Sequence, residues 1–257
     1  MFSATTARVV RLAALAFGLT VAGGAAAQEA RAPIALDWSF EGVFGTYDQA
    51  AAQRGLQVFL NVCSNCHSLR QVAYRHLTGI GYEPDQIAAI AAEKQVTDGP
   101  DKYGEMFERP GKPSDFFVPP FPNDQAARYA NGGALPPDLS VIVAARVGGA
   151  DYVYSLLTGF GDPPPGEEIQ PGMNYNPYFP GSQIAMPQPL FDGMVGYQDG
   201  TEATTKQMAR DVATFLAWAS QPELEQRKRI GFKVILFLIV LAGLLFASKR
   251  RLWASLH

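Results

Sequence analysis

The chain has 257 residues, 47% of them hydrophobic and 18% charged, with a formal net charge of −3 at pH 7. That is room for one medium domain with accessory segments, and for a core that needs no covalent staples. Two cysteines rule out a disulfide-rich scaffold, and 19 Pro with 25 Gly imply much irregular backbone.

In chain order, Arg8 and Arg11 precede an apolar run from Leu12 to Val21, then Gly23-Gly24-Ala25-Ala26-Ala27. A short basic region, an apolar stretch and small residues predict a cleaved secretory signal over residues 1–27, with Gln28 as the mature N-terminus. A membrane helix is the competing reading, but the run is short and small residues dominate its end. Tyr47 to Val62 reads as a helix, with Ala52, Leu56, Phe59 and Leu60 on one face. Gly55 on that helix would let another helix approach closely.

The chain then runs Cys63-Ser64-Asn65-Cys66-His67. C-x-x-C-H is the attachment signature of c-type haem. Two thiols three apart can add across the two vinyl groups of a porphyrin, and the adjoining histidine then supplies the proximal nitrogen to iron. A zinc site would need two further ligands, and the other histidines are His76 and His257. A thioredoxin-like dithiol would need a βαβ setting, which the pattern lacks.

The distal ligand decides between an electron carrier and a catalyst with an open iron site. The candidates are Met106, Met173, Met186, Met194, Met208 and His76. His76 follows the proximal ligand too closely to reach the opposite haem face and reads as structural. Met208 belongs to an apolar helical stripe. Met186 sits in Ile184-Ala185-Met186-Pro187-Gln188-Pro189, a loop stiffened by prolines, and is the favoured reading, with Met173 and Met194 as alternatives. His/Met ligation fills both axial positions and raises the potential, which suits outer-sphere electron transfer.

Thr201 to Ser220 predicts a second helix, with Thr201 as its cap and Met208, Val212, Phe215, Leu216 and Ala219 as its apolar stripe. A helix before the haem crossed by a C-terminal helix is the arrangement of class I cytochromes c. The Pro/Gly-rich stretches Pro110 to Pro137 and Pro163 to Pro189 read as haem-covering and subunit-contacting insertions. The fold class expected is therefore mainly α: a class I cytochrome c-like helical domain with long insertions, plus one C-terminal transmembrane helix.

That last helix is predicted from Ile230 to Ala247, apolar apart from Lys233. Eighteen helical residues rise about 27 Å, close to a hydrocarbon core. Arg227-Lys228-Arg229 and Lys249-Arg250-Arg251 flank it. The positive-inside rule and the exported N-terminus agree on one topology. A periplasmic domain spans 28–226, an anchor 227–249 and a cytoplasmic tail 250–257, in a bacterial inner membrane. Residues 28–226 hold all 24 Asp and Glu but 12 of the 21 Lys and Arg, a net −12. Such a surface repels nucleic acid and steers basic proteins toward it.

Several stretches resemble the cytochrome c1 family, the haem subunit of the cytochrome bc1 complex. They are Arg54-Gly55-Leu56-Gln57-Val58-Phe59 leading into the pentapeptide, Val72-Ala73-Tyr74-Arg75, Pro119 to Asn123 with Ala127 to Ser140, Asp151 to Gly159, and Asn174 to Gly181 with Ile184 to Pro187. The resemblance implies one covalent haem c, with Cys63 and Cys66 as thioether cysteines, His67 as proximal and Met186 as distal ligand. It places Asn131, Pro137, Arg146 and Tyr152 along the haem or its propionates. It implies an electron-transfer subunit of ubiquinol–cytochrome c reductase, not catalytic alone, working in a dimeric complex with cytochrome b. Electrons would arrive from a Rieske iron–sulfur protein and leave to a soluble, basic cytochrome c. Some bacterial relatives brace the region before the methionine with a second cysteine pair; this chain has none, so packing and prolines must hold its Met186 loop. A free-standing membrane-anchored cytochrome c, donating to an oxidase or reaction centre, and a haem enzyme or gas sensor are the alternatives.

Overall fold

The computed structural model describes residues 30–254; the predicted signal segment lies outside them, as do residues 255–257 of the tail. Helix α1 (Gln49–Asn61) starts where the Asp48 carboxylate accepts a hydrogen bond from the Ala51 amide at 3.0 Å. Two short 3-10 helices, Cys63–Asn65 and Tyr74–Ile80, follow. Helix α2 (Pro84–Ala92) opens with Pro in its first turn, and the Gln86 side chain caps back onto the Glu83 amide at 2.9 Å. Strands β1 (Gln95–Asp98) and β2 (Phe107–Pro110) form an antiparallel hairpin pairing Gln95 with Pro110 and Asp98 with Phe107. Then come α3 (Asp124–Ala130) and α4 (Gly149–Thr158). The two-residue strands β3 (Asn174–Tyr175) and β4 (Gln183–Ile184) pair antiparallel, and α5 (Thr205–Ser220) and α6 (Leu224–Trp253) end the chain. The architecture is mainly helical, as expected.

The core forms where α1 and α5 cross. Ala52, Leu56 and Phe59 of α1 are buried against Met208, Val212, Phe215 and Leu216 of α5. Gly55 sits at the crossing: a Cβ there would lie 2.1 Å from the Asp211 carbonyl oxygen and 2.7 Å from the Phe215 Cβ. The close approach inferred from that glycine is what the helices make. Aromatic rings extend the core, with Phe59 and Phe215 at 5.7 Å and Tyr74 stacked on Phe117 at 4.4 Å. Helix α4 also packs against α5.

One expected cap is corrected. Thr201 does not begin α5; Thr204 does, its hydroxyl accepting from the Gln207 amide at 3.2 Å. Thr201 is held upstream, its amide donating to the Asp199 carboxylate at 3.0 Å. That Asx-type turn keeps the backbone non-helical until Thr204.

Helix α6 is 30 residues long, with a span of mean hydropathy 2.7 in which no residue is buried. At 1.5 Å per residue it is about 45 Å long, so it carries a turn or more beyond the apolar run at each end. It is long and apolar enough to cross a membrane once. Lys249 lies over the Trp253 ring at 4.6 Å, an arrangement suited to an interface.

Candidate haem-binding site

Helix α1 ends at Asn61, and the chain tightens at once into the 3-10 turn Cys63–Asn65. The amides of Cys66 and His67 both donate to the Cys63 carbonyl, at 3.1 and 2.8 Å. C-x-x-C-H is thus folded on itself at the end of a core helix. Both thiols are free. Burial pushes the Cys63 thiol up to about 12, so it stays protonated at neutral pH.

The His67 ring is committed on one side. Its Nδ1 lies 2.8 Å from the Pro137 carbonyl oxygen. A carbonyl can only accept, so Nδ1 carries the proton and Nε2 keeps its lone pair. Burial lowers the His67 pKa, which favours the neutral ring able to bind a metal. This is the orientation a proximal ligand needs.

Pro137 is itself held by a device the sequence reading did not assign. The Asp138 carboxylate accepts from the Ser68 hydroxyl at 2.8 Å and from the amides of Arg70 and Ser140, both at 2.9 Å. The Leu139 amide donates to the Ser68 carbonyl at 2.9 Å, and the Gln71 amide to the Ser140 hydroxyl at 3.0 Å. The segment bearing the histidine and the segment bearing its acceptor are therefore laced together. The one local signal was Asp-x-Ser, an Asx-turn pattern. Burial alone would raise the Asp138 pKa, but the donors from Ser140, Arg70 and Ser68 outweigh it and hold it below the usual value. A depressed folded-state pKa gives stability that is present above the unfolded value near 4 and is lost as pH falls through the folded value. Asp138→Asn is expected to cost about 1–3 kcal/mol at pH 7, with the gap to wild type closing toward pH 3. Guanidinium midpoints at the two pH values check this; equal midpoints at pH 7 would refute it.

The remaining predicted residues fall into separate places. Tyr152, half-buried on α4, faces the Arg146 guanidinium, which partly offsets the burial that raises its phenol pKa. The Arg146 side chain is otherwise exposed. Asn131 ends α3, with its side-chain amide donating to the Ala127 carbonyl at 2.7 Å. Met186 is half-buried and packs on the core, and its carbonyl accepts from the Asn174 side chain at 3.3 Å. The β3–β4 pair directly precedes it, so strand pairing supports this loop as well as packing and proline. A cleft of about 180 Å³ is lined by Cys66, Pro120, Phe121, Leu135 and Pro137 among others. Part of the first Pro/Gly-rich stretch thus stands against the pentapeptide. Among the other candidates, Met208 is fully buried core, Met106 and Met194 are exposed, and His76 accepts from the Ala73 amide at 3.2 Å as a structural cap.

Two free thiols one turn apart, a neutral imidazole with its acceptor nitrogen available, and a half-buried thioether on a braced loop fit haem c as a donor set. Among the described residues, no group of three or more His, Cys, Asp or Glu is placed to hold a bare metal ion. The class these features define is a c-type cytochrome carried on a membrane-spanning helix.

Relatives narrow the class. A family profile described as "Cytochrome C1 family" matches residues 38–256. Cytochrome c1 of Rhodospirillum rubrum is 47% identical over 264 residues, covering 95% of this chain and 97% of that protein. The mitochondrial cytochrome c1 haem protein of Schizosaccharomyces pombe is 50% identical over 240 residues, covering 93% and 78%. A protein named cytochrome b/c1 from Bradyrhizobium diazoefficiens is 46% identical over 277 residues, covering 96% of this chain and 40% of that protein. The chain belongs to the cytochrome c1 family. It is a haem c protein and a membrane-anchored electron-transfer subunit of a bc1 complex.

Proposed function

We propose that this chain takes single electrons from a Rieske iron–sulfur protein and delivers them to a soluble, basic cytochrome c, within a ubiquinol–cytochrome c reductase. Haem c, when bound, supplies a one-electron couple. The chain's residues do the rest. Cys63 and Cys66 would fasten the cofactor by thioether bonds, and His67 and Met186 would supply its iron ligands. Asn131, Pro137, Arg146 and Tyr152 would border the haem, with the exposed Arg146 guanidinium suited to a propionate. The observation that carries this reading is the His67–Pro137 hydrogen bond, which presets the proximal nitrogen.

Cytochrome b is the membrane partner in this reading. A relative whose name joins b and c1 supports it, since one polypeptide there carries both names. Residues 28–226 face the periplasm, 227–249 cross the inner membrane, and 250–257 lie in the cytoplasm. The cationic Lys249-Arg250-Arg251 end supports that orientation.

The acceptor's charge follows from the net −12 of residues 28–226. Asp101, Glu105, Asp162 and Glu168 stand exposed on loops and make no ion pair among the described residues. Reduction of a basic cytochrome c, followed by stopped flow, is expected to slow about tenfold or more as salt rises from low to physiological ionic strength. A flat salt response would reject a basic acceptor. Extraction in mild detergent without cytochrome b or a Rieske protein would reject the assigned partners.

A further inference from the structure

The carbonyl that meets His67 is held by more than its own residue. Pro136 and Pro137 are consecutive, and the Pro137 ring fixes φ there, so ψ is the one soft torsion left to turn that carbonyl. The next residue takes up that freedom. One Asp138 carboxylate oxygen accepts from the Ser68 hydroxyl and the Arg70 amide, and the other accepts from the Ser140 amide. Ser68 adjoins His67, so a single side chain ties the segment bearing the imidazole to the peptide bearing its acceptor. Ser68 and Ser140 are buried, which shields these bonds from competition by water. Asp138 and Ser68 also line the cleft that Cys66 and Pro137 share.

We propose that Asp138 is a positioning residue that sets the haem midpoint potential by fixing the Pro137 carbonyl on Nδ1 of His67, a role that rests on His67 being the proximal ligand. An imidazole whose Nδ1–H is held by a well-aimed acceptor is more basic at Nε2 and a stronger donor to ferric iron, which lowers the potential. A carbonyl free to swing gives a weaker donor and a higher potential. The carboxylate charge acts in the same direction, since a nearby anion favours the ferric state. Two substitutions separate charge from position. Ser68→Ala removes one of the three donors and leaves the charge in place. Asp124 is exposed in the same cleft and takes no part in the lacing, so Asp124→Asn removes a charge and leaves the lock intact. Asp138→Asn breaks the lock itself: it keeps the shape but turns an amide NH2 toward the Ser68 and Arg70 donors or toward the Ser140 amide.

The test uses the full-length, haem-loaded chain in detergent, with two measurements. Redox titration at the haem α band gives the potential. NMR of the reduced, diamagnetic protein gives the exchange rate of the His67 Nδ1–H. Asp138→Asn is expected to raise the ferrous-to-ferric ratio at a fixed ambient potential about tenfold, which is about 59 mV for one electron. It should also speed Nδ1–H exchange about tenfold or more, as expected for the loss of one charge-assisted hydrogen bond. Ser68→Ala should move both in the same direction by less, and Asp124→Asn should move neither. An unchanged potential and exchange rate in Asp138→Asn would reduce the lacing to a structural role and overturn the proposal. A raised potential with unchanged exchange, or an equal rise in Asp124→Asn, would assign the effect to charge alone and overturn it as well. A wild-type His67 ring without the upfield ring-current shifts of a haem ligand would instead remove the ligand assignment, and this role with it.

Discussion

Met186→Leu is expected to lower the haem midpoint potential by roughly 0.2–0.4 V, a large part of the range of about 0.8 V that axial ligands span. A thioether is a soft ligand that favours the reduced iron, and leucine offers no lone pair. The swap nearly conserves volume, so the loop should keep its packing at a cost below about 1.5 kcal/mol. Met186 is half-buried against the core and its carbonyl is held by Asn174, so the backbone there has little freedom to present another donor. A redox titration followed at the haem α band measures the shift. The same variant should gain carbon monoxide binding in the reduced state, because the sixth position is opened. Met173→Leu and Met194→Leu serve as comparisons and should leave the potential near wild type. A normal titration for Met186→Leu with a low potential for either of the others would move the distal ligand to that residue.

What the sequence reveals of this fold follows from which interactions are local. The crossing helices are legible because their apolar residues recur at helical spacing: Leu56 and Phe59 on α1, and Met208, Val212, Phe215 and Leu216 on α5, are all buried. Gly55 is legible for the same reason, since a glycine inside an amphipathic helix marks a close neighbour. The anchor declares itself by length and hydropathy. The hairpin does not, because Gln95-Val96-Thr97-Asp98 and Phe107-Glu108-Arg109-Pro110 carry too few apolar residues to show a period of two, and none of the eight is buried. The start of α5 is misread at Thr201 because Thr201 and Thr204 both precede the helix, and the choice between them depends on Asp199 holding the Thr201 amide and Asp192 the Thr205 amide. At the site, the pentapeptide names its own chemistry. The partner of His67, by contrast, is a carbonyl 70 residues away, and every residue has a carbonyl. The role of Asp138 is hidden likewise, since its three donors become neighbours only when two distant segments meet.

The same limit conceals the ion cluster that joins α1 to α5, and breaking one half of it is expected to be strongly destabilising. The Asp211 side chain is 0% exposed. Arg54 grips it with two bonds, Nε to one oxygen at 2.9 Å and Nη2 to the other at 3.0 Å, while Nη1 reaches Asp199 at 2.8 Å. The guanidinium also lies 5.8 Å from the Tyr197 ring, and these carboxylates raise its pKa further above its ordinary value. Arg54→Met would leave a buried carboxylate with the Gln207 amide, at 3.1 Å, as its side-chain donor. Breaking one half of a buried pair costs about 3–5 kcal/mol, mostly from the charge left behind. Arg54→Met combined with Asp211→Leu removes both charges and should recover much of that loss, although each charge is isolated in its single variant. Guanidinium titrations of the four proteins, followed by near-UV circular dichroism, give the coupling directly. Additive losses would mean that the pair is not coupled and that Asp211 is held by its other neighbours. Recovery in the double variant would show that the ion pair sets how α1 and α5 meet while hydrophobic packing supplies most of the stability. The crossing also sets the direction in which α1 leads into Cys63, so the single variant should broaden the haem spectrum even under conditions where it remains folded.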